Sequence, residues 1–219
     1  LKIYTKDPEF RFFMSIQILL IVTCTLVMIS HQYFDSSWQD FEQVVFQAVS
    51  ISTTTGYTTS NFAEWPSFVP MLLIIASFIG GCAGSVGGGL RVARILVLYL
   101  QGARELKRFV HPNLVYPIKW GQNVLDERVI GSIWAFFSAY LLVFTICLLS
   151  VIACGVEPFD AFNAVLASIN NLGPGLGSAS SNMTAMPDSA KWVLTIAMVC
   201  GRLEIFTLLA LFTPAFWKA

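Results

Sequence analysis

Four apolar stretches dominate the chain, and each is long enough to predict all or part of a membrane helix. Residues 12–30 and 130–154 carry no charge and can cross a bilayer core as continuous helices. The stretch at 68–100 is interrupted by a run at 80–89 that holds six glycines in ten residues. Residues 191–217 form a fourth stretch of spanning length. This pattern predicts an all-α integral membrane protein with one interrupted span.

Two shorter segments, at 38–52 and 157–169, lie between these spans and resemble each other. Both begin with acidic residues, become apolar, share the local match FQAV to FNAV, and lead into a polar run with glycine, TTTGY or NNLGPGLG. A helix of about a dozen residues is too short to span, so the backbone after it must be buried in protein or line water. We therefore predict two repeats of span, pore helix, filter loop and span. The predicted units are a first repeat at 1–100, a cytoplasmic connection at 101–129 and a second repeat at 130–219.

Composition agrees with a membrane protein, and the placement of charge predicts its orientation. Hydrophobic residues make up 56% of the 219 residues and charged residues 12%, about half the charged fraction of a soluble domain. No Lys or Arg occurs from His31 to Ile79, whereas seven occur from Arg91 to Arg128. The positive-inside rule then predicts cytoplasmic termini, a cytoplasmic connection and an outward-facing Thr-rich run. The connection is expected to be a short helix followed by an irregular link.

The run STTTGYTTS at 52–60 has the chemistry of an alkali-ion filter. Threonine hydroxyls and the carbonyls of an extended run can replace an ion's hydration shell. Gly56 and Gly173 supply backbone dihedrals that aim such carbonyls without strain. Pore helices that begin outside also point their partly negative ends inward, which favours a cation. An extracellular Thr-rich turn is the alternative.

Two charges in the fourth apolar stretch predict a polar interior. Arg202 and Glu204 are two positions apart, so on one helix they point to nearly opposite sides and cannot simply neutralise each other. At least one is expected to face a polar interior. An Arg beneath a cation filter would act as an electrostatic barrier or bind the carbonyls of a nearby loop, for which the run at 80–89 is the candidate. Close helix packing through small residues is the alternative for that run.

The remaining chemistry-bearing residues support no enzyme. The five cysteines form no CxxC pair, the two histidines are isolated, and no acid–base pair or metal-ligand cluster appears. The Gly-rich run lacks the Gly-Lys-Ser/Thr of a phosphate-binding loop. Two other classes stay open: an ion-coupled solute transporter with discontinuous helices, and a non-conducting structural or assembly subunit.

Three strings together carry a family resemblance. TTTGYTT, the interrupted GGCAGSVGGG followed by LRVARIL, and the end GRLEIFTLLALFTPAFW resemble the TrkH family, within the wider superfamily of TrkH, Ktr and HKT potassium transporters. The resemblance covers essentially the whole chain. It matches the last two of the family's four membrane–pore–membrane repeats, so the first two repeats of the same protein are expected to complete the filter.

The resemblance also implies roles for individual residues. The filter residues that it implies are Thr54, Thr55, Gly56, Tyr57, Asn171, Leu172 and Gly173, with potassium bound by carbonyls at Thr55, Gly56, Leu172 and Gly173. The gate that it implies is an intramembrane loop with Gly80, Gly81, Gly84, Ser85, Gly87, Gly88 and Gly89, working with Arg202 as a pore arginine. The second run, NNLGPGLG, lacks the threonines of the first, so its ligation of potassium is expected to differ in strength.

The resemblance implies a cellular setting as well. Family members are similar in forming homodimers in the lipid of the bacterial inner membrane, on a cytosolic nucleotide-binding ring of the TrkA type. That ring, and not this chain, would bind NAD(H) or ATP, so no cofactor is expected here, and potassium is the substrate. Uptake could be passive or a symport. The surface around residues 91–128 is the expected docking site for the ring, and no nucleic-acid partner is expected.

Overall fold

The chain folds as a set of helices joined by short loops. The computed structural model describes residues 6–33, 38–85, 87–111, 116–121, 123–177, 183–184, 186–211 and 217. The helices are α1 (Pro8–Ser30), α2 (Trp38–Ser52), α3 (Phe68–Ala76), α4 (Val92–Val110), α5 (Glu127–Ala153), α6 (Pro158–Ile169), α7 (Asp188–Arg202) and α8 (Ile205–Leu211), with a 3₁₀ turn at Phe62–Glu64. One antiparallel pair, β1 (Lys119–Trp120) and β2 (Asn123–Val124), lies between α4 and α5. The predicted all-α class is confirmed for this part of the chain.

Helices α1 and α5 are, within the described ranges, the two that are long and apolar enough to cross a membrane. Each begins at an aspartate cap. The Asp7 side chain accepts the Glu9 amide at 3.0 Å, and Asp126 accepts the Arg128 amide at 3.2 Å. These bonds satisfy amides that a first helical turn leaves unpaired, so both helices begin a few residues before their apolar stretches. Large apolar side chains stay exposed on both helices, as a lipid-facing surface requires: Ile18, Leu19, Leu26, Leu142, Ile146 and Leu149.

The predicted interruption of the second span is confirmed. Helix α3 ends at Ala76 and α4 begins at Val92. Helix α4 then continues past residue 100, so the helical part of the connection extends the span instead of forming a separate helix. In this extension Arg104, only 2% exposed, donates to both carboxylate oxygens of Glu127 at 2.5 and 3.0 Å. This bond raises the pKa of Arg104 and ties the end of α4 to the start of α5.

The fourth apolar stretch is not one continuous helix, and that prediction was wrong. Helix α7 ends at Arg202, α8 begins at Ile205, and Glu204 between them has a φ of +56°. Part of the predicted span, residues 212–216, lies outside the described residues. Because the helix is broken, the helical phase of Arg202 and Glu204 does not decide where they point. Glu204 instead contacts Arg91, which directly precedes α4, and Arg94 within α4. These contacts are the physical reason that Glu204 points away from α7.

The two pore helices lie in the protein core. Helix α2 packs on α1 and α3, and α6 packs on α5 and α7. Both contribute fully buried side chains to one hydrophobic cluster: Val44, Ala48 and Ile51 from α2, with Ala161, Ala164, Val165, Leu166 and Ile169 from α6. Small residues let neighbouring helices approach closely. Both pore helices therefore end within the buried part of the protein.

Candidate ion-conducting site

The two pore helices end in the same backbone motif. The second residue after the end of each helix adopts the left-handed conformation, with φ of +56° at Thr54 and +51° at Asn171. The paired amide-to-carbonyl bonds are Thr54 to Ile51 at 3.1 Å, Thr55 to Ser50 at 2.8 Å, Asn171 to Ser168 at 3.1 Å and Leu172 to Ala167 at 2.9 Å. This is the Schellman pattern of helix termination. The repeat seen in sequence therefore extends to matching hydrogen bonds.

The glycine of each filter segment follows this motif. We define the first filter segment as residues 53–57 and the second as residues 170–173. Gly56 and Gly173 have φ of +81° and +94°, a region that glycine enters without a Cβ penalty. A Cβ on Gly56 would overlap the carbonyl oxygen of Leu172. The two filter segments thus contact each other directly, and only glycine fits at the point of contact.

Side chains of α2 hold the chain that follows the first filter segment. The Ser50 hydroxyl donates to the Tyr57 carbonyl at 2.6 Å. The buried Gln47 amide donates to the Ser60 carbonyl at 2.9 Å. The Tyr57 carbonyl thus already has one protein partner, although Tyr57 as a residue is 72% exposed. These bonds support the wall of an outer cavity of about 560 Å³, lined by residues 58–62 together with Gly56, Gly173 and Pro174.

A buried polar network supports the second filter segment. The Tyr140 hydroxyl of α5 donates to Asn170 Oδ1 at 2.6 Å, and Asn170 Nδ2 donates to Ser77 Oγ at 2.9 Å. Ser77 in turn donates to the Ile74 carbonyl at 2.6 Å, at the end of α3. Asn170 and Ser77 are fully buried, so each polar group requires its partner. The network fixes the end of the second pore helix to both repeats.

The Gly-rich loop, residues 80–89, leads to its tip through residues 80–82 and returns through residues 87–89. We call these two parts its legs, and they lie against each other. The Leu90 amide donates to the Phe78 carbonyl at 2.9 Å, and the Val92 amide donates to the Gly81 carbonyl at 3.0 Å. A Cβ on Gly80 would overlap the Gly88 carbonyl oxygen. Glycines at these positions therefore allow backbone to pack on backbone.

The return leg of this loop lies beneath both filter segments. The Gly88 amide donates to Thr54 Oγ1 at 3.0 Å in a buried bond. A Cβ on Gly88 would overlap the Asn170 carbonyl oxygen, and one on Gly87 would lie 2.9 Å from Thr54 Oγ1. By contrast, a Cβ on Gly84, near the tip, meets nothing within 4 Å. The close approach of the loop is thus confined to its legs.

An inner cavity of about 450 Å³ collects most of the residues singled out from the sequence. Its lining, apart from Phe13, is Thr53, Thr54, Thr55, Gly81, Cys82, Ser85, Gly87, Gly88, Asn171 and Arg202. The filter threonines, the loop and Arg202 therefore share one space. Gly173 lines the outer cavity instead, while Leu172 is 2% exposed and presents its carbonyl to Gly56.

Three charged residues near the loop form an ion-pair cluster. Arg91, the residue before α4, and Arg94, in its first turn, contact Glu204 at 2.5 and 2.8 Å. The Arg94 guanidinium also lies 4.0 Å from the centroid of the Phe136 ring on α5. These contacts join the broken second span to the broken fourth span next to the inner cavity.

Sequence reasoning missed the positioning roles of Ser77, Tyr140, Asn170 and Arg91. The charge pattern uses Arg91 only as one of seven basic residues that predict orientation, although its place directly after the glycines is a signal for a role at the loop. Asn170 directly follows a pore helix and could have been singled out as a helix-end residue. Ser77 and Tyr140 carry no local signal, because their roles depend on partners far along the chain.

Metal-ligating side chains do not cluster in the described residues. No group of three or more His, Cys, Asp or Glu is placed there to hold a metal ion, and the five cysteines are free. The filter segments offer backbone carbonyls and threonine hydroxyls as oxygen atoms. Such oxygens are ligands for alkali ions.

The described residues thus hold two matching short helices, each followed by a glycine-containing segment that lies between two cavities. The chain belongs to the TrkH family, described as cation transport proteins, whose family model matches residues 3–219. This is a family of transporters and not of enzymes, and membership implies a membrane protein.

Named relatives agree with the family. The chain is 56% identical over 218 residues to "Trk system potassium uptake protein TrkH" of Vibrio parahaemolyticus and 55% identical to the protein of that name from Escherichia coli, in each case covering 100% of this chain and 45% of the relative. It is 34% identical to "Trk system potassium uptake protein TrkG" of Escherichia coli. The crystal structure of the potassium transporter TrkH from Vibrio parahaemolyticus matches with a TM-score of 0.92 at 57% identity, over 98% of this chain and 46% of that one. The chain thus spans a little under half the length of these relatives.

Proposed function

We propose that this chain forms two of the repeats of a potassium-uptake pore. Carbonyls at Thr55, Gly56, Leu172 and Gly173 would bind potassium, with Thr54, Tyr57 and Asn171 shaping the path. Two further repeats of the same protein would complete the ring of ligands. The share of each relative that the chain covers, 45%, supports this arrangement.

One observation carries the proposal. The two filter segments have the same helix-end hydrogen bonds, the same left-handed residues and directly touching backbones. They lie between an outer cavity of about 560 Å³ and an inner one of about 450 Å³. A non-spanning helix followed by exposed carbonyls is stable at membrane depth where it lines water. An ion path between the two cavities accounts for all of these features together.

The Gly-rich loop and Arg202 would form the gate of this pore. The loop packs against both filter segments through Gly87 and Gly88. Arg202 lines the same inner cavity, where a fixed positive charge opposes the passage of a cation. Movement of the loop would open the path.

The wider setting is also proposed. The words "Trk system" in the names of the relatives support a partner subunit, which we take to be a cytosolic TrkA-type ring that binds NAD(H) or ATP. The family resemblance supports homodimers in the bacterial inner membrane. The seven basic residues at 91–128 support cytoplasmic termini and docking of the ring at that surface.

A second candidate is an ion-coupled solute transporter. The breaks between α3 and α4 and between α7 and α8 favour it, because such transporters place unwound backbone at the substrate site. The two candidates differ in their need for a coupling gradient. A conducting pore takes up rubidium without a sodium or proton gradient, and a coupled transporter does not.

Rubidium tracer uptake into liposomes tests the proposal with the full-length protein that carries this chain. Wild type is expected to take up rubidium despite excess sodium, and Gly56→Ser to lose that resistance because any side chain displaces Leu172. Gly155→Ser is the matched control: Gly155 has a φ of +87°, and a Cβ there meets nothing within 4 Å. Uptake indifferent to Gly56, or equally impaired by both substitutions, would contradict the proposed filter.

A further inference from the structure

Ala83, at the tip of the Gly-rich loop, is held by two side chains of opposite charge. Glu9 Oε1 accepts the Ala83 amide at 2.6 Å, and Arg91 Nη1 donates to the Ala83 carbonyl at 2.8 Å. Glu9 lies in the first turn of α1, 74 positions earlier in the chain. The loop tip is thereby fastened to two different helices.

Of the two side chains that bond Ala83, Arg91 also belongs to the ion-pair cluster. Arg91 also contacts Glu204 at 2.5 Å, and its backbone has a φ of +68°. A non-glycine residue in the left-handed region costs about 1–3 kcal/mol, so its surroundings must hold it there. Arg91 is therefore placed by the α7–α8 break as well as by its own helix.

Glu9, the other side chain that bonds Ala83, is not part of that cluster. Glu9 belongs to α1, whose start is fixed by the Asp7 cap on the Glu9 amide. Neither Ala83 nor Gly84 has a side chain that can bond, and both are exposed. Polar contacts of the tip must therefore be made by its backbone. A carboxylate is a strong acceptor for a backbone amide, since a hydrogen bond to an ionised group is roughly twice as strong as a neutral one.

We propose that Glu9 is a positioning residue for the gate: its carboxylate holds the Ala83 amide and so keeps the Gly-rich loop beneath the filter segments. This inference rests on the proposed function of the loop. Glu9 acts through the loop and touches no ion. Removal of its carboxylate frees the tip from α1 while Arg91 and the backbone bonds of the legs remain.

Two readouts on full-length protein in lipid nanodiscs or liposomes test the inference. Hydrogen–deuterium exchange of the peptide covering residues 80–90 reports the position of the loop without any ion flux. Rubidium uptake reports how far the proposed gate obstructs ion flux. Glu9→Ala removes the acceptor, whereas Glu9→Gln keeps an amide oxygen but loses the charge. The control is Asp188→Ala, an exposed acid in the first turn of α7 that bonds Lys191 of its own helix.

The expected result is faster exchange of the loop peptide and roughly three- to tenfold higher uptake in Glu9→Ala, as loss of one solvent-exposed hydrogen bond predicts. Glu9→Gln should fall between Glu9→Ala and wild type, and Asp188→Ala should match wild type. Unchanged exchange in Glu9→Ala would overturn the contact, and faster exchange without higher uptake would overturn its role in gating. If wild type takes up no rubidium, the proposed function fails, while exchange still decides whether Glu9 positions the loop.

Discussion

A single methyl group on Gly88 tests whether the loop obstructs the pore. A Cβ there would overlap the Asn170 carbonyl oxygen, and Gly88 is not in the left-handed region, so the perturbation is steric. Asn170 is fully buried and held by Tyr140 and Ser77, and its amide donates to Leu166 at 3.0 Å. The loop must therefore move, because the filter side cannot.

Two free-energy costs determine how strongly Gly88→Ala destabilises the position in which the loop packs against the filter segments. Inserting a methyl group into a packed site costs about 1–3 kcal/mol. Displacing the leg also breaks the bond from the Gly88 amide to Thr54 Oγ1, worth about 0.5–1.5 kcal/mol. Together these effects destabilise the packed position of the loop by roughly 1.5–4.5 kcal/mol, which is about one to three powers of ten in the ratio of packed to displaced loop.

Rubidium uptake into liposomes is the assay, with Gly84→Ala as the matched control. The control adds the same methyl group four positions away, where it meets nothing within 4 Å. Gly88→Ala should raise the initial uptake rate and keep discrimination against sodium, whereas Gly84→Ala should match wild type. Equal rates for the two variants would refute the reasoning. A lower rate with lost discrimination would show that the filter moves instead of the loop.

Two further predictions address the network and the cavity. Tyr140→Phe should lower the thermal midpoint of the detergent-solubilised protein, because a buried Asn170 oxygen loses its partner at a cost of about 1–3 kcal/mol. An unchanged midpoint would mean that another donor replaces the hydroxyl. Arg202→Ala should raise rubidium uptake, since it removes a positive charge from the inner cavity, while uptake by Arg202→Lys should stay near that of wild type. Equal uptake in all three proteins would exclude a barrier at this position.

Much of the fold follows from local pattern. The lengths of two uncharged runs predicted α1 and α5, and the glycines at 80–89 predicted the break between α3 and α4. The repeated FQAV and FNAV segments predicted both pore helices to within a residue of their observed bounds, Trp38–Ser52 and Pro158–Ile169. These features are local because helix formation and burial respond to residues a few positions apart.

The candidate site depended on contacts that no local pattern encodes. Arg202 and Glu204 looked like neighbours on one helix, yet Glu204 leaves the helix to meet Arg94, 110 positions earlier. Asn170 and Ser77 are 93 positions apart and form one buried bond. A buried polar group requires a partner, but the sequence does not say which one packing will supply.

The sequence by itself determined which segments are apolar enough to span, which helices are too short to span, and where glycine permits the backbone to turn. Tertiary structure alone decided that Gly56 meets Leu172, that Gly88 lies beneath both filter segments, and that Glu9 reaches the loop. The physical reason is range: hydrophobicity and backbone freedom belong to a residue and its neighbours, whereas steric fit and hydrogen-bond pairing exist only once distant segments have packed together.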